Sequence, residues 1–193
     1  MGINSEELVT NRVLTAPNVI SFARLGLVPI FIWLFLSEND WAALAVLFVL
    51  GNTDWVDGTV ARRTGQVSEL GKVLDPISDR IAIVAIILTI TYRGVIPWPI
   101  TAAILSRELL IAVAFGVLES RGVPRIPVNR VGKLATGAIF SGMGLTMISL
   151  VLAGKVGENI HLAALVVLVI GAALYWVATA MYFIELRKRL NEG

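Results

Sequence analysis

Apolar residues fill six long runs of this chain, and polar residues are gathered between them. The runs are Pro17–Leu36, Trp41–Arg62, Leu74–Tyr92, Pro97–Leu118, Val131–Ala153 and Ile160–Leu186. Each is close to the roughly 20 residues that an α-helix needs to cross a hydrocarbon core. Pro17, Pro97 and Pro99 stand at run starts, where a missing N–H does no harm to a helix. The pattern predicts an all-α, polytopic membrane protein of six transmembrane helices. Ahead of the first run, the segment 1–16 is expected to hold a short interfacial helix over residues 3–12, although Ser5 and Glu7 make only a weak start signal there. No internal repeat or low-complexity stretch divides the chain, so residues 1–193 read as one membrane domain. The longest non-apolar stretch, ESRGVPRIPVNRVG at 119–132, joins the fourth run to the fifth.

Composition agrees with the pattern. Of 193 residues, 56% are hydrophobic and 16% charged, and the mean hydropathy is +0.81. A soluble domain of this size could not cover its surface with so few charges. The net charge is +2, but the basic residues lie in short loops, a pattern of membrane topology and not of nucleic-acid binding. One set of segments holds Arg12, Arg62, Arg63, Lys72, Arg121, Arg125, Arg130, Lys133, Arg187, Lys188 and Arg189, whereas the opposite set holds only Arg93 and Lys155. Both termini are therefore expected in the cytoplasm. Trp41, Trp98 and Trp176 suit partial roles as interface anchors. The absence of cysteine excludes disulfides and thiolate chemistry. The acidic start, with Glu6 and Glu7, does not read as a cleaved signal peptide.

Four aspartates interrupt this apolar plan. Asp54 and Asp57 close the second run, and Asp75 and Asp79 open the third. A carboxylate in or beside hydrocarbon costs a few kcal/mol or more, so it is kept for function. Residues three or four apart share a helix face. The short polar loop between the pairs brings the two helix ends together as antiparallel neighbours. Clustered carboxylates suit a hard cation such as Mg²⁺ or Mn²⁺, with substrate phosphate completing the shell. Gly58 leaves room for a ligand, Arg62 can fork onto phosphate, and Gly71 permits close packing. Two other readings remain open on spacing alone: an ion-coupled transporter, and structural pairing of an aspartate with Arg24 or Arg80. His161, the only histidine, falls at the opposite membrane face and reads as an interfacial residue.

The stretch from Asp54 to Asp79 resembles the motif D-x2-D-G-x2-A-R-x8-G-x3-D-x3-D of the CDP-alcohol phosphatidyltransferases. Asp54, Asp57, Gly58, Ala61, Arg62, Gly71, Asp75 and Asp79 match every specified position with every gap correct. The six-span plan matches as well. This resemblance implies transfer of a phosphatidyl group from a CDP-linked lipid such as CDP-diacylglycerol to a hydroxyl, with release of CMP. It implies that Asp54, Asp57, Asp75 and Asp79 hold two divalent ions, and that Asp79 is also the general base. Gly58, Ala61, Arg62 and Gly71 would surround the CDP moiety, with Ser68 and Asn18 adding nucleotide contacts. The family is commonly homodimeric, and small residues such as Ala138 and Gly142 would permit close helix packing, between subunits or within one.

The acceptor is a separate question. Arg107, inside the fourth run, and Arg130 and Lys133, opening the fifth, are candidates to bind an acceptor phosphate. Glu108 reads as a poor partner for Arg107, because adjacent helical residues point about 100° apart. SREL at 106–109 and VGKLAT at 131–136 resemble the phosphatidylglycerophosphate synthase and cardiolipin synthase branch. RVLTAPNVISFARL and LDPISDR are most similar to its actinobacterial cardiolipin synthase-like members, which implies a bacterial plasma membrane. Glycerophosphate-using members more often carry Lys where Arg80 stands. The expected acceptor is phosphatidylglycerol, with glycerol-3-phosphate as the alternative.

Overall fold

The computed structural model describes residues 16–51, 69–120 and 130–192, without the side chains at 16–18, 20, 69–76, 119 and 189–192. The described residues form helices and their connections, with no strand. In chain order the helices are α1 (Ala16–Leu36), α2 (Asp40–Gly51), α3 (Glu69–Tyr92), α4 (Trp98–Ser120), α5 (Arg130–Val151) and α6 (Gly154–Glu192). Three carry spans long and apolar enough to cross a bilayer: Trp98–Leu118, Arg130–Val151 and Gly154–Lys188. Shorter described apolar stretches lie at Ser21–Leu36 and Asp40–Gly51. The expected interfacial helix over 3–12 lies outside the described residues, as does 121–129 of the long connection.

Two helices extend well beyond their apolar runs. Helix α3 starts at Glu69, ahead of Leu74, and α6 runs from Gly154 to Glu192, well beyond Ile160–Leu186. Hydropathy marks where lipid contact is favourable. Backbone hydrogen bonding continues past that point, and at about 1.5 Å per residue the 39 residues of α6 outreach a hydrocarbon core.

Contacts divide the chain into two units, with the boundary between Thr89 and Ile90 inside α3. In the first unit, Ser21, Arg24, Val28, Phe31 and Phe35 are buried at alternating steps of three and four along α1. That spacing is one helix face. The rings of Phe31 and Phe35 stack with centroids 5.6 Å apart. The opposite surface is apolar and open, with Phe22 at 51% and Trp33 at 67% exposure. This polar-inside, apolar-outside arrangement suits lipid as solvent. Helix α1 ends in a Schellman motif, in which Asn39 N–H donates to Leu34 O and Glu38 N–H to Phe35 O, with Glu38 at φ 59°. Asn39 then caps α2, its Oδ1 accepting from Ala42 N–H at 3.4 Å.

The second unit repeats the turn chemistry with the usual residue. Gly94, at φ 75°, donates to Thr91 O, and Val95 N–H donates to Ile90 O. The buried hydroxyls of Thr91 and Thr101 then meet at 2.5 Å, tying this turn to α4. Helices α5 and α6 approach closely where glycines remove side chains. A Cβ on Gly142 would lie 2.6 Å from Leu168 Cγ, and one on Gly171 would lie 3.0 Å from Ile139 Cγ1. Gly142 thus serves packing within the chain. Buried hydroxyls on these helices bond back to their own turns, as Thr146 does to Gly142 O at 2.9 Å.

Candidate active site

Helix α3 carries Gly71, Asp75 and Asp79 at successive steps of four, one position per turn along one face. The side chains of Gly71's neighbour Asp75 and of Asn18 on α1 lie outside those described. Asp54, Asp57, Gly58, Ala61, Arg62 and Ser68 fall outside the described residues altogether. Among the described residues no group of three metal-binding side chains comes together.

Asp79 has a side-chain partner on α1. Nη1 of Arg24 on α1 pairs with its Oδ1. The Arg24 side chain is 4% exposed, whereas that of Asp79 keeps 39%. A buried guanidinium therefore holds one edge of a carboxylate that is otherwise open to a ligand. The contact also answers how α1 carries an arginine within its apolar length. The donor set suits a divalent cation: Asp79 is an accessible hard-oxygen donor, and Asp75 lies one turn away on the same helix.

In the second unit Arg107 and Glu108 are both buried, at 8% and 6%. Contrary to the expectation from their adjacent positions, they are partners: Arg107 Nη1 donates to Glu108 Oε1 at 3.0 Å. Both side chains lie in the contact of α4 with α6, and their length lets the charged ends meet although the Cα–Cβ bonds diverge. Tyr175 O–H donates to the same Oε1 at 2.5 Å. Arg107 Nε donates to Thr179 Oγ1 at 3.0 Å, and its guanidinium lies 3.8 Å above the Tyr175 ring centroid. Charge-assisted bonds and a cation–π contact of this kind strengthen where water is excluded. Tyr175 and Thr179 escaped the sequence reading. The available signal was their spacing of four, which places two polar residues on one face of α6, within the most apolar of the three long spans.

Trp176 is exposed, as an interface anchor would be, but its Nε1 donates to Ala103 O on α4 at 3.0 Å. Arg130 and Lys133 are exposed in the first turn of α5. Cations there oppose the helix dipole, so they are not placed for helix stability, and with the first-turn N–H groups they form an end that attracts anions. At the other end of α5, Ser149, Glu158 and His161 line an open, mainly apolar groove of about 420 Å³. His161 Nδ1 lies 3.5 Å from Ser149 Oγ.

Fold and site together define an integral membrane protein of helices, which buries Arg24, Arg107 and Glu108 and keeps its one described motif carboxylate accessible. Comparison with known proteins supplies the family. The CDP-alcohol phosphatidyltransferase family model matches residues 14–184, and the chain belongs to that family. It is 36% identical to a cardiolipin synthase (CMP-forming) of Streptomyces coelicolor over 96% of this chain and 89% of the relative. It is 33% identical to a CDP-diacylglycerol–glycerol-3-phosphate 3-phosphatidyltransferase of Bacillus subtilis over 63% of this chain and 70% of the relative. A human cardiolipin synthase (CMP-forming) is 38% identical over 57% of this chain and 37% of the relative. This is a transferase, and the ion-coupled transporter reading falls.

Proposed function

We propose that this protein transfers the phosphatidyl group of CDP-diacylglycerol to the primary hydroxyl of phosphatidylglycerol, giving cardiolipin and CMP. The observation that carries the reading is identity to the Streptomyces coelicolor cardiolipin synthase along nearly the full length of both chains. The complete aspartate motif supports the transfer chemistry. Asp79 takes the proton of the acceptor hydroxyl as that oxygen bonds to the phosphatidyl phosphorus and the bond to CMP breaks. Arg24 holds one carboxylate edge and orients the base. Asp54, Asp57, Asp75 and Asp79 would hold two ions, Mg²⁺ or Mn²⁺. When bound, these ions supply charge neutralisation at the two phosphates. Gly58, Ala61, Arg62, Ser68, Gly71 and Asn18 would surround the CDP moiety. Arg107, Arg130 and Lys133 would bind the acceptor phosphate, a role favoured by the anion-attracting start of α5.

The same reading includes six membrane crossings, with both termini and the reaction centre at the cytoplasmic face of a bacterial plasma membrane. The loop charge asymmetry supports that orientation. It also includes a homodimer, which rests on the family resemblance, because Ala138 and Gly142 are used between α5 and α6. Glycerol-3-phosphate is the second acceptor reading, favoured by the Bacillus subtilis relative. A competition assay decides between them. Purified protein with CDP-diacylglycerol and Mg²⁺ or Mn²⁺ is offered phosphatidylglycerol, glycerol-3-phosphate and inositol phosphate together, and product lipids are resolved. Cardiolipin should dominate. Phosphatidylglycerophosphate as the main product would select the second reading.

A further inference from the structure

We propose that Glu108 and Tyr175 are positioning residues for acceptor recognition: they fix the Arg107 guanidinium so that its unspent Nη2 edge is offered to the acceptor's phosphate. The proposal rests on the reading of Arg107 as an acceptor contact and adds the device that orients it.

Arg107 lies midway along the α4 span Trp98–Leu118, where a cation is costly. Three partners constrain it from three directions. Glu108 takes Nη1, Thr179 takes Nε, and the Tyr175 ring supports the guanidinium plane. Tyr175 also fixes Glu108, because its O–H donates to the same Oε1 that Arg107 uses. The carboxylate cannot swing away without losing two bonds. A guanidinium has five N–H donors. Among the described residues, Nη2 makes no hydrogen bond, and the Arg107 side chain keeps 10% of its surface accessible.

Stability alone does not require this arrangement. An apolar cluster of similar volume in place of a buried ion pair is often neutral or stabilising. A buried pair that is cross-linked on one side and leaves a donor edge open on the other is organised to receive an acceptor group. A guanidinium edge matches the oxygens of a phosphate, which a free phosphomonoester and a lipid phosphodiester both present.

The test uses the full chain in detergent micelles or vesicles. Tyr175→Phe keeps the ring beneath the guanidinium and removes only the O–H. It should raise the acceptor KM about fivefold, as expected for loss of one orienting hydrogen bond, while kcat and the KM for CDP-diacylglycerol stay within about twofold. Glu108→Gln should act in the same direction. A second readout avoids turnover: the rise in Tm on adding phosphatidylglycerol, or glycerol-3-phosphate in a parallel arm, should shrink in both variants. The arm with the larger wild-type rise identifies the source of the phosphate. Arg107→Gln separates the two layers of the argument. If Arg107→Gln raises the acceptor KM but Tyr175→Phe leaves both KM and ligand-induced Tm rise unchanged, the positioning role is overturned and the Arg107 reading stands. If Arg107→Gln leaves the acceptor KM unchanged, both are overturned. Should Glu108→Gln fail to fold, Tyr175→Phe decides alone. A uniform loss in kcat, both KM values and ligand-free Tm from Tyr175→Phe would show a structural lock and overturn the proposal.

Discussion

Arg24 and Arg107 each meet a carboxylate inside an apolar helix, and the two meetings are closed to different degrees. Around Arg24 the cation is buried and the acid is open: the side-chain exposures are 4% for Arg24 and 39% for Asp79. Around Arg107 both partners are mostly covered, at 10% and 7%, and two further side chains from α6 bind them, which leaves the Nη2 edge unspent among the described residues. The difference separates two uses of the same pair of chemical groups. A closed, multiply bonded pair holds a geometry. A pair with one open member holds a carboxylate in place while leaving it free to meet a ligand, as the proton acceptor proposed above would have to be.

Substitutions that break this contrast have effects of graded size. The largest is expected at the open acid. Asp79→Asn should lower kcat for CMP release by about a thousandfold, the scale of a lost general base, while CDP-diacylglycerol binding weakens but persists. Near-normal turnover would remove the base assignment. Next comes the closed pair. Glu108→Ala leaves a buried guanidinium without its counter-charge and should destabilise the protein by about 3–5 kcal/mol, read as a large fall in Tm in detergent. Arg24→Met should cost about 1 kcal/mol by the same measurement, because the acid it abandons can be solvated. Equal losses at Glu108 and Arg24 would erase the distinction between the sites.

A smaller effect tests the close helix approach. Gly142→Ala puts a methyl group against the Leu168 side chain and should cost about 1–3 kcal/mol through overpacking. The smallest concerns the paired turns. Glu38 occupies a left-handed position where the equivalent turn has Gly94. Glu38→Gly should therefore raise stability by up to about 1 kcal/mol, measured as a small rise in Tm.

Much of the fold was legible in the chain. The apolar runs place α1, α4 and α5 within a few residues of Ala16–Leu36, Trp98–Ser120 and Arg130–Val151. Lipid makes length and apolarity necessary conditions for a crossing helix, so the signal is strong. It is weaker at the ends of α3 and α6, where helix continues into polar sequence. The motif spacing likewise pointed to the family, because phosphate and metal chemistry tolerates few changes in the carboxylates or in their distance along a helix. The adjacency rule misled at Glu108. It describes Cα–Cβ directions on an isolated helix, and it misses what long side chains do when a second helix covers them.

The sequence by itself determined a helical membrane protein, its family and the set of aspartates, since hydropathy, spacing and residue type are properties of the chain alone. Only the tertiary structure decided the partners. Arg24 was assigned to Asp79, Arg107 was tied to Glu108, Tyr175 and Thr179, and Gly142 was given to the α5–α6 contact. Arg24 and Asp79 lie 55 positions apart, and Arg107 and Thr179 lie 72 apart. No local pattern encodes them; they follow from which helix faces pack together once polar groups must find partners away from lipid.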